Sequence, residues 1–416
     1  MKEKLILLIV IAFTIIDSAQ SQFGTLIFQS DFEADCSVIP VGSDADIIGK
    51  DQTLPDRNDW IADLDNHPNI GNFKIAYAGG NVTQRYAKII PEPGNPNNHV
   101  LQFWLDYPNE KEIKGRVQAN FYGNQGLKEI RQSVRVFLPS DFNTLRTYPS
   151  KISWLTIAEF WNNNTWDKVP NAFRITLGIG KYVTGEDDLH FILKAENYTD
   201  KTIKYTKIWS RENNVVKVPV EQWFTFDYYL KEGNESHGRF FMTIQPDGGR
   251  KEVVFDVTAF THNTFDTNPD GFSEINPLKL YTSADIIQYM KNNGKTLQIY
   301  WDNYRLWKDK QPDLSSSSYD ESIKQYVPEQ IRNFPNPFTG ETLIEFNLNK
   351  PEKYRLSISD MHGRSIRILE GVNNVSNSEK FFWDGCDLLR KSVANGIYLC
   401  GLQTNNLLLA HRIVKL

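Results

Sequence analysis

The sequence predicts an all-β chain: one large β-sandwich followed by a small one. Two observations carry most of this. Aromatic residues make up 13% of the chain, with 18 Tyr and 25 Phe, a composition that suits strands better than helical bundles. Short segments of alternating apolar and polar residues recur, each bounded by Gly, Pro, Asn or Asp, while long helical periodicity is nearly absent. A third feature divides the chain. Asp309 to Gln330 is polar, lacks periodicity and holds the densest serine run, Ser315 to Ser318, so it reads as a linker. The length of 416 residues exceeds one average domain and fits this two-part plan.

Residues 1–21 read as a signal peptide. Lys2 and Lys4 give a basic start, Leu5 to Ile16 a short apolar core, and Ala19-Gln20-Ser21 a small-residue cleavage site before Gln22. No later stretch is long and apolar enough for a membrane helix, so no transmembrane segment is expected. The net charge of −5 gives no basic character to attract nucleic acid. An anionic partner would need a local basic groove. Three cysteines, Cys36, Cys386 and Cys400, form no disulfide framework and no metal pair; a Cys386–Cys400 bridge and two free buried thiols both fit.

The large unit, 22–308, is a succession of strands. Thr25 to Phe28, Arg116 to Phe121, Ser133 to Leu138, Phe173 to Ile179, Leu189 to Lys194, Phe224 to Tyr228, Arg239 to Ile244 and Leu297 to Trp301 all alternate. Ser283 to Asn292 reads as one short helix. So many strands in one unit fit two packed antiparallel sheets.

Alternation sorts side chains by face. Val117, Ala119 and Phe121 are apolar, which leaves Arg116, Gln118 and Asn120 on the other face. By the same parity Arg174, His190, Lys194, Lys279 and Tyr281 face away from the core. On one shared sheet they would form a basic groove able to attract a polyanion. Arg, Gln and Asn can neutralise a uronate carboxylate, a Lys or neutral His can take the C5 proton, and Tyr can protonate the leaving oxygen. Tyr281 is expected as acid and Lys194 or His190 as base, with Lys181 a rival. Arg116, Gln118, Asn120 and Arg174 would grip carboxylate or sulfate, with Lys279 assisting. Ordinary solvated polarity is the competing reading of each.

Glu159 sits among aromatics in Ile157 to Asn162, so its pKa is expected to rise; a structural or sugar-binding role is favoured for it. Glu33 near the first strand and Asp302 in the last could hold a structural Ca²⁺, or simply tie the termini together by hydrogen bonds. No organic cofactor is expected. Trp161 and Trp166 are the indoles expected to be exposed for sugar stacking. Zinc, serine-hydrolase, phosphate-loop and dinucleotide motifs are absent from the sequence.

The tail, 331–416, carries Asn333-Phe334-Pro335-Asn336-Pro337-Phe338, Tyr354 to Asp360, His362-Gly363-Arg364, Trp383-Asp384-Gly385, Asn395-Gly396-Ile397-Tyr398 and a final Arg412-Ile413-Val414-Lys415-Leu416. This ordered set closely resembles the type A sorting domain of the type nine secretion system of Bacteroidetes, a small immunoglobulin-like β-sandwich. The resemblance implies the secretion machinery as a partner and passage across the outer membrane by way of the periplasm, with the tail removed or used for surface anchoring. In the large unit, Arg135 to Pro139, Glu159-Phe160-Trp161-Asn162, Phe173 to Leu177, Gly238-Arg239-Phe240, Lys279 to Ser283 and Ile299 to Asn303 resemble concanavalin-type jelly-roll proteins, above all the jelly-roll ulvan lyases. That resemblance implies a β-jelly-roll and elimination with Lys and Tyr in the catalytic roles. A secreted lyase acting on an acidic, ulvan-type polysaccharide is the favoured function. A non-catalytic carbohydrate-binding module or adhesin is the alternative, and a glycoside hydrolase is disfavoured.

Overall fold

The computed structural model describes residues 24–416 except 53, 55, 66, 107–113, 164–170, 183–186, 199–204, 313–330, 348–351, 374–377 and 405–407. The expected signal peptide, Trp166 and the linker's serine run lie outside the described residues. The chain forms two units, Met1–Ile323 and Lys324–Leu416.

In the first unit the strands in chain order are β1 (Thr25–Ser30), β2 (Ser37–Val41), β3 (Asp44–Ile48), β4 (Asn72–Ala78), β5 (Arg85–Glu92) and β6 (Asn95–Leu105). Then come β7 (Lys114–Tyr122), β8 (Glu129–Phe137), β9 (Leu155–Asn162), β10 (Phe173–Gly180), β11 (His190–Tyr198) and β12 (Tyr205–Asn213). They are followed by β13 (Trp223–Lys231), β14 (Arg239–Pro246), β15 (Glu252–Thr258), β16 (Glu274–Asn276), β17 (Lys279–Ser283) and β18 (Leu297–Lys308). One sheet runs β15-β14-β13-β8-β18-β6-β5, with β1 on β18. The other runs β12-β11-β10-β9-β16-β7-β4-β3-β2, with β17 bridging β7 and β9. Every described pairing is antiparallel, so each strand can bury one face and present the other.

The alternation foreseen in the sequence is realised. Phe173, Ile175, Leu177 and Ile179 are buried on one side of β10, and Phe191, Leu193 and Ala195 on one side of β11. They meet the inner face of the other sheet, as in the contacts Phe191–Phe226 and Phe121–Tyr304, 5.9 and 5.7 Å between ring centroids. The two inner faces form one core. The helix α1 (Ala284–Asn292) follows β17 as expected and buries Ile286, Ile287 and Met290.

The second unit holds β19 (Ile331–Phe334), β20 (Thr342–Asn347), β21 (Glu352–Asp360), β22 (Ser365–Asn373), β23 (Ser378–Trp383), β24 (Gly396–Gln403) and β25 (Leu408–Lys415). They form sheets β19-β20-β23 and β22-β21-β24-β25 around a core of its own, with Trp383 between Phe338 and Tyr398. All three cysteines are free, so Cys386 and Cys400 are not bridged.

Candidate active site

The expected groove strands share one sheet. Ile192, Gly178, Thr156, Tyr281 and Arg116 lie in register across β11, β10, β9, β17 and β7. In the next row Lys194 faces Thr176, Thr176 faces Glu159, and Glu159 faces Asn276. Beyond it stand Glu196, Arg174 and Trp161. The register between β9 and β10 slips at Leu177/Gly178, a bulge that brings Thr156 and Glu159 onto the same face. Gly178 is required there: a Cβ would stand 2.7 Å from the Leu155 carbonyl oxygen.

These rows floor a cavity of about 420 Å³ whose walls include Lys114, Trp154, Arg174, Lys194 and Tyr281. The floor is low because Gly178, Thr156 and Thr176 carry little or no side chain. Lys194 and Tyr281 stand on opposite sides of it. At about 4.8 Å per strand, their backbones are roughly 15 Å apart, within reach of two long side chains leaning inward. Lys194 Nζ donates to the Ser153 carbonyl at 2.9 Å. Burial lowers its pKa, and Glu196 and Glu212 act against that shift. Tyr281 packs edge-on against Trp154, 4.9 Å between centroids, with the Arg116 guanidinium 5.8 Å and the Lys279 ammonium 5.2 Å from its ring centre.

Several expected groove residues lie elsewhere. Lys279 is on the predicted face but only 1% exposed. It is ion-paired to Glu159, and burial pulls its pKa down to about 8 despite that partner. Glu159 corrects the expectation of a raised pKa. Burial pushes it up, but Lys279 and Arg174 outweigh burial and hold the carboxyl below its usual range. Arg174 is not free to grip substrate with its whole fork: Nε donates to Glu196 at 2.8 Å and Nη1 to Glu159 at 3.1 Å. Gln118 and Asn120 are buried, not open. Gln118 Nε2 and Asn276 Nδ2 both donate to Asn120 Oδ1, at 2.5 and 2.9 Å. Arg116 is half-buried beside Tyr281, its Nε without a hydrogen-bond partner among the described residues. Parity selects a face; it does not say whether neighbours cover it.

His190 is 1% exposed, lies outside the cavity wall and is covered by the stacked Tyr182 ring, which removes it as the expected base. Lys181 is buried too and does not line the cavity. Trp161 is 3% exposed with the Arg174 guanidinium 5.5 Å from its ring centre, so it is no open stacking platform. Sequence reasoning missed Lys114, and it counted Trp154 among the indoles able to stack on a sugar but favoured Trp161 and Trp166 over it. Extending the β7 alternation two residues upstream of Arg116 would have reached Lys114.

The Glu33–Asp302 calcium pair does not fit. Asp302 accepts from Asn98 at 3.1 Å and Arg135 at 3.2 Å, while Glu33 faces His99 at 3.5 Å. Arginine already supplies the cation that a carboxylate site would need. Among the described residues no group of three or more His, Cys, Asp or Glu could hold a metal. The termini are tied instead by the β1–β18 pairing and by Asp31, which takes Arg305 at 2.6 Å and Arg57 at 2.5 Å.

Comparison with known proteins bears first on the tail. A family described as secretion system C-terminal sorting domain matches residues 332–416. The tail matches an export signal. The protein is accordingly secreted or attached at the cell surface, and no described helix is long and apolar enough to cross a membrane. No curated protein matches the chain. Three solved structures are similar to part of this chain. An endo-β-1,4-glucuronan lyase from the fungus Trichoderma reesei is 13% identical with a TM-score of 0.35, over 56% of this chain and 94% of that one. A mutant of alginate lyase Aly36B in complex with alginate tetrasaccharide is 13% identical with a TM-score of 0.39, over 70% and 100%. The marine PL-14 alginate lyase from Aplysia kurodai is 9% identical with a TM-score of 0.36, over 53% and 87%. At these values the likeness assigns neither activity nor substrate.

Proposed function

We propose that the large unit is a polysaccharide lyase that cleaves a uronate-containing acidic glycan of the ulvan type by β-elimination. The observation that supports this is the pairing of Lys194 and Tyr281 on opposite walls of one low-floored cavity. A uronate lying on Gly178 and Thr156 would have an amine on one side and a phenol on the other. The neutral Lys194 amine takes the C5 proton. The electron pair becomes the C4–C5 double bond, the C4–O4 bond breaks, and the Tyr281 hydroxyl gives its proton to O4. Charge developing on the carboxylate is met by Arg174, held in place by two glutamates, and by Lys114 on the wall. Glu159, kept ionised between two cations, is unsuited to be the proton donor of a hydrolytic carboxylate pair.

The test is direct. The full chain is incubated with ulvan, alginate, glucuronan and heparin, and the ultraviolet absorbance of the unsaturated uronate is followed. Rising absorbance on one of them is expected. New reducing ends without absorbance would make the protein a hydrolase. Retardation in a glycan gel without either would make it a binding module or adhesin.

A further inference from the structure

The sheet face that floors the cavity runs on past the cavity wall. On β11 the groove face continues from Lys194 through Ile192, a wall residue, to His190. Four residues of strand carry it about 13 Å along. There the Tyr182 ring lies flat on His190, 3.6 Å between centroids and 9° between planes. The imidazole beneath is buried, and burial lowers its pKa to about 4, so at neutral pH it backs Tyr182 as an uncharged slab. Tyr182 keeps part of its surface open, and the exposed Lys151 ammonium stands 5.9 Å from its ring centre. A backed aromatic ring next to a solvent-facing ammonium has the chemistry of a sugar subsite: the ring takes the apolar C–H face and the cation takes an acidic substituent.

We propose that the groove has a second subsite, with Tyr182 as the platform for another sugar of the chain and Lys151 as the contact for its carboxylate or sulfate. This rests on the groove being the seat of an acidic glycan. The subsite binds without reacting, so its loss is felt in binding alone.

The full chain is compared with K151E, K151R and Y182A on ulvan, alginate and glucuronan, as polymers and as the shortest fragments cleaved. For the polymer that wild type cleaves, K151E and Y182A are expected to raise KM about tenfold with kcat unchanged, and K151R to stay near wild type. The shortest fragments, too short to reach Tyr182, should show no change. Retardation in gels of the same glycans is measured in parallel. If wild type binds without cleaving, the lyase reading fails, while loss of retardation in K151E and Y182A still supports the subsite. Wild-type KM and retardation in both K151E and Y182A would overturn it. If wild type neither binds nor cleaves any of the three, the subsite falls with the groove.

Discussion

Lys194 and Tyr281 differ in what their replacement should do. Tyr281→Phe keeps the ring, its edge-on contact with Trp154 and the cations around it, and removes only the transferable proton. It should lower kcat about 10²–10⁴-fold, the range usual for general acid–base groups, while retardation by the glycan persists. Wild-type turnover in that variant would remove Tyr281 from the acid role. Lys194 must be unprotonated to accept a proton. Its pKa is lowered by burial, so the amine is freed below the pH near 10.4 where an ordinary lysine titrates. kcat/KM should therefore climb as pH rises from neutral through the Lys194 pKa. A pH–rate profile of the absorbance signal checks this; a flat or falling curve across the neutral to alkaline range would exclude Lys194 as base.

Strands β9, β10 and β17 are joined by charge as well as by backbone bonds. Lys279 and Glu159 are both buried, and Arg174 closes the far side of Glu159. Lys279→Met leaves Glu159 with less compensation in a dry site, and breaking such a pair costs about 3–5 kcal/mol. The double variant Lys279→Met/Glu159→Leu should recover most of that loss, since an apolar pair no longer needs neutralising. Denaturant unfolding of the two variants tests the assignment: equal losses would show that the single variant suffers from packing, not from a stranded charge. The sign with pH is set as well. The folded pKa of Glu159 is depressed, so its stabilisation is complete above the usual carboxyl pKa, about 4.3, and is lost as pH falls through the folded value. Lys279→Met should move acid unfolding to higher pH. At this scale the sequence is readable in part. Period-two alternation gave the strands and the face of Arg116, Arg174, Lys194, Lys279 and Tyr281, because side-chain direction is local. Coverage is not local. His190 is buried by Tyr182, from eight residues earlier in the chain, and Lys279 by Glu159, from 120 residues earlier, so neither could be recognised as closed from its own strand.

The whole molecule consists of two β units with separate cores, Met1–Ile323 and Lys324–Leu416. At the end of β18, Asp309 donates its backbone N–H to the Glu129 carbonyl at 3.0 Å. Separate cores mean that damage to the tail should leave the candidate site intact. Within the tail the last strand, β25, is structural. It pairs along the length of β24, its Ile413 is fully buried, and Lys415 Nζ donates to the Val393 carbonyl at 2.6 Å and the Ser392 hydroxyl at 2.7 Å. Deleting residues 408–416 strips β24 of that partner and opens the core around Tyr398 and Trp383. Expressed in a bacterium that has the type nine machinery, the deletion variant should accumulate in the periplasm. Lysates containing it should still retard and cleave the glycan that the intact protein does. Cell fractionation with an antibody to the large unit reads the first outcome. Appearance of the shortened protein outside the cell would mean that export does not depend on a folded tail, and loss of glycan cleavage would mean that the two units are not independent.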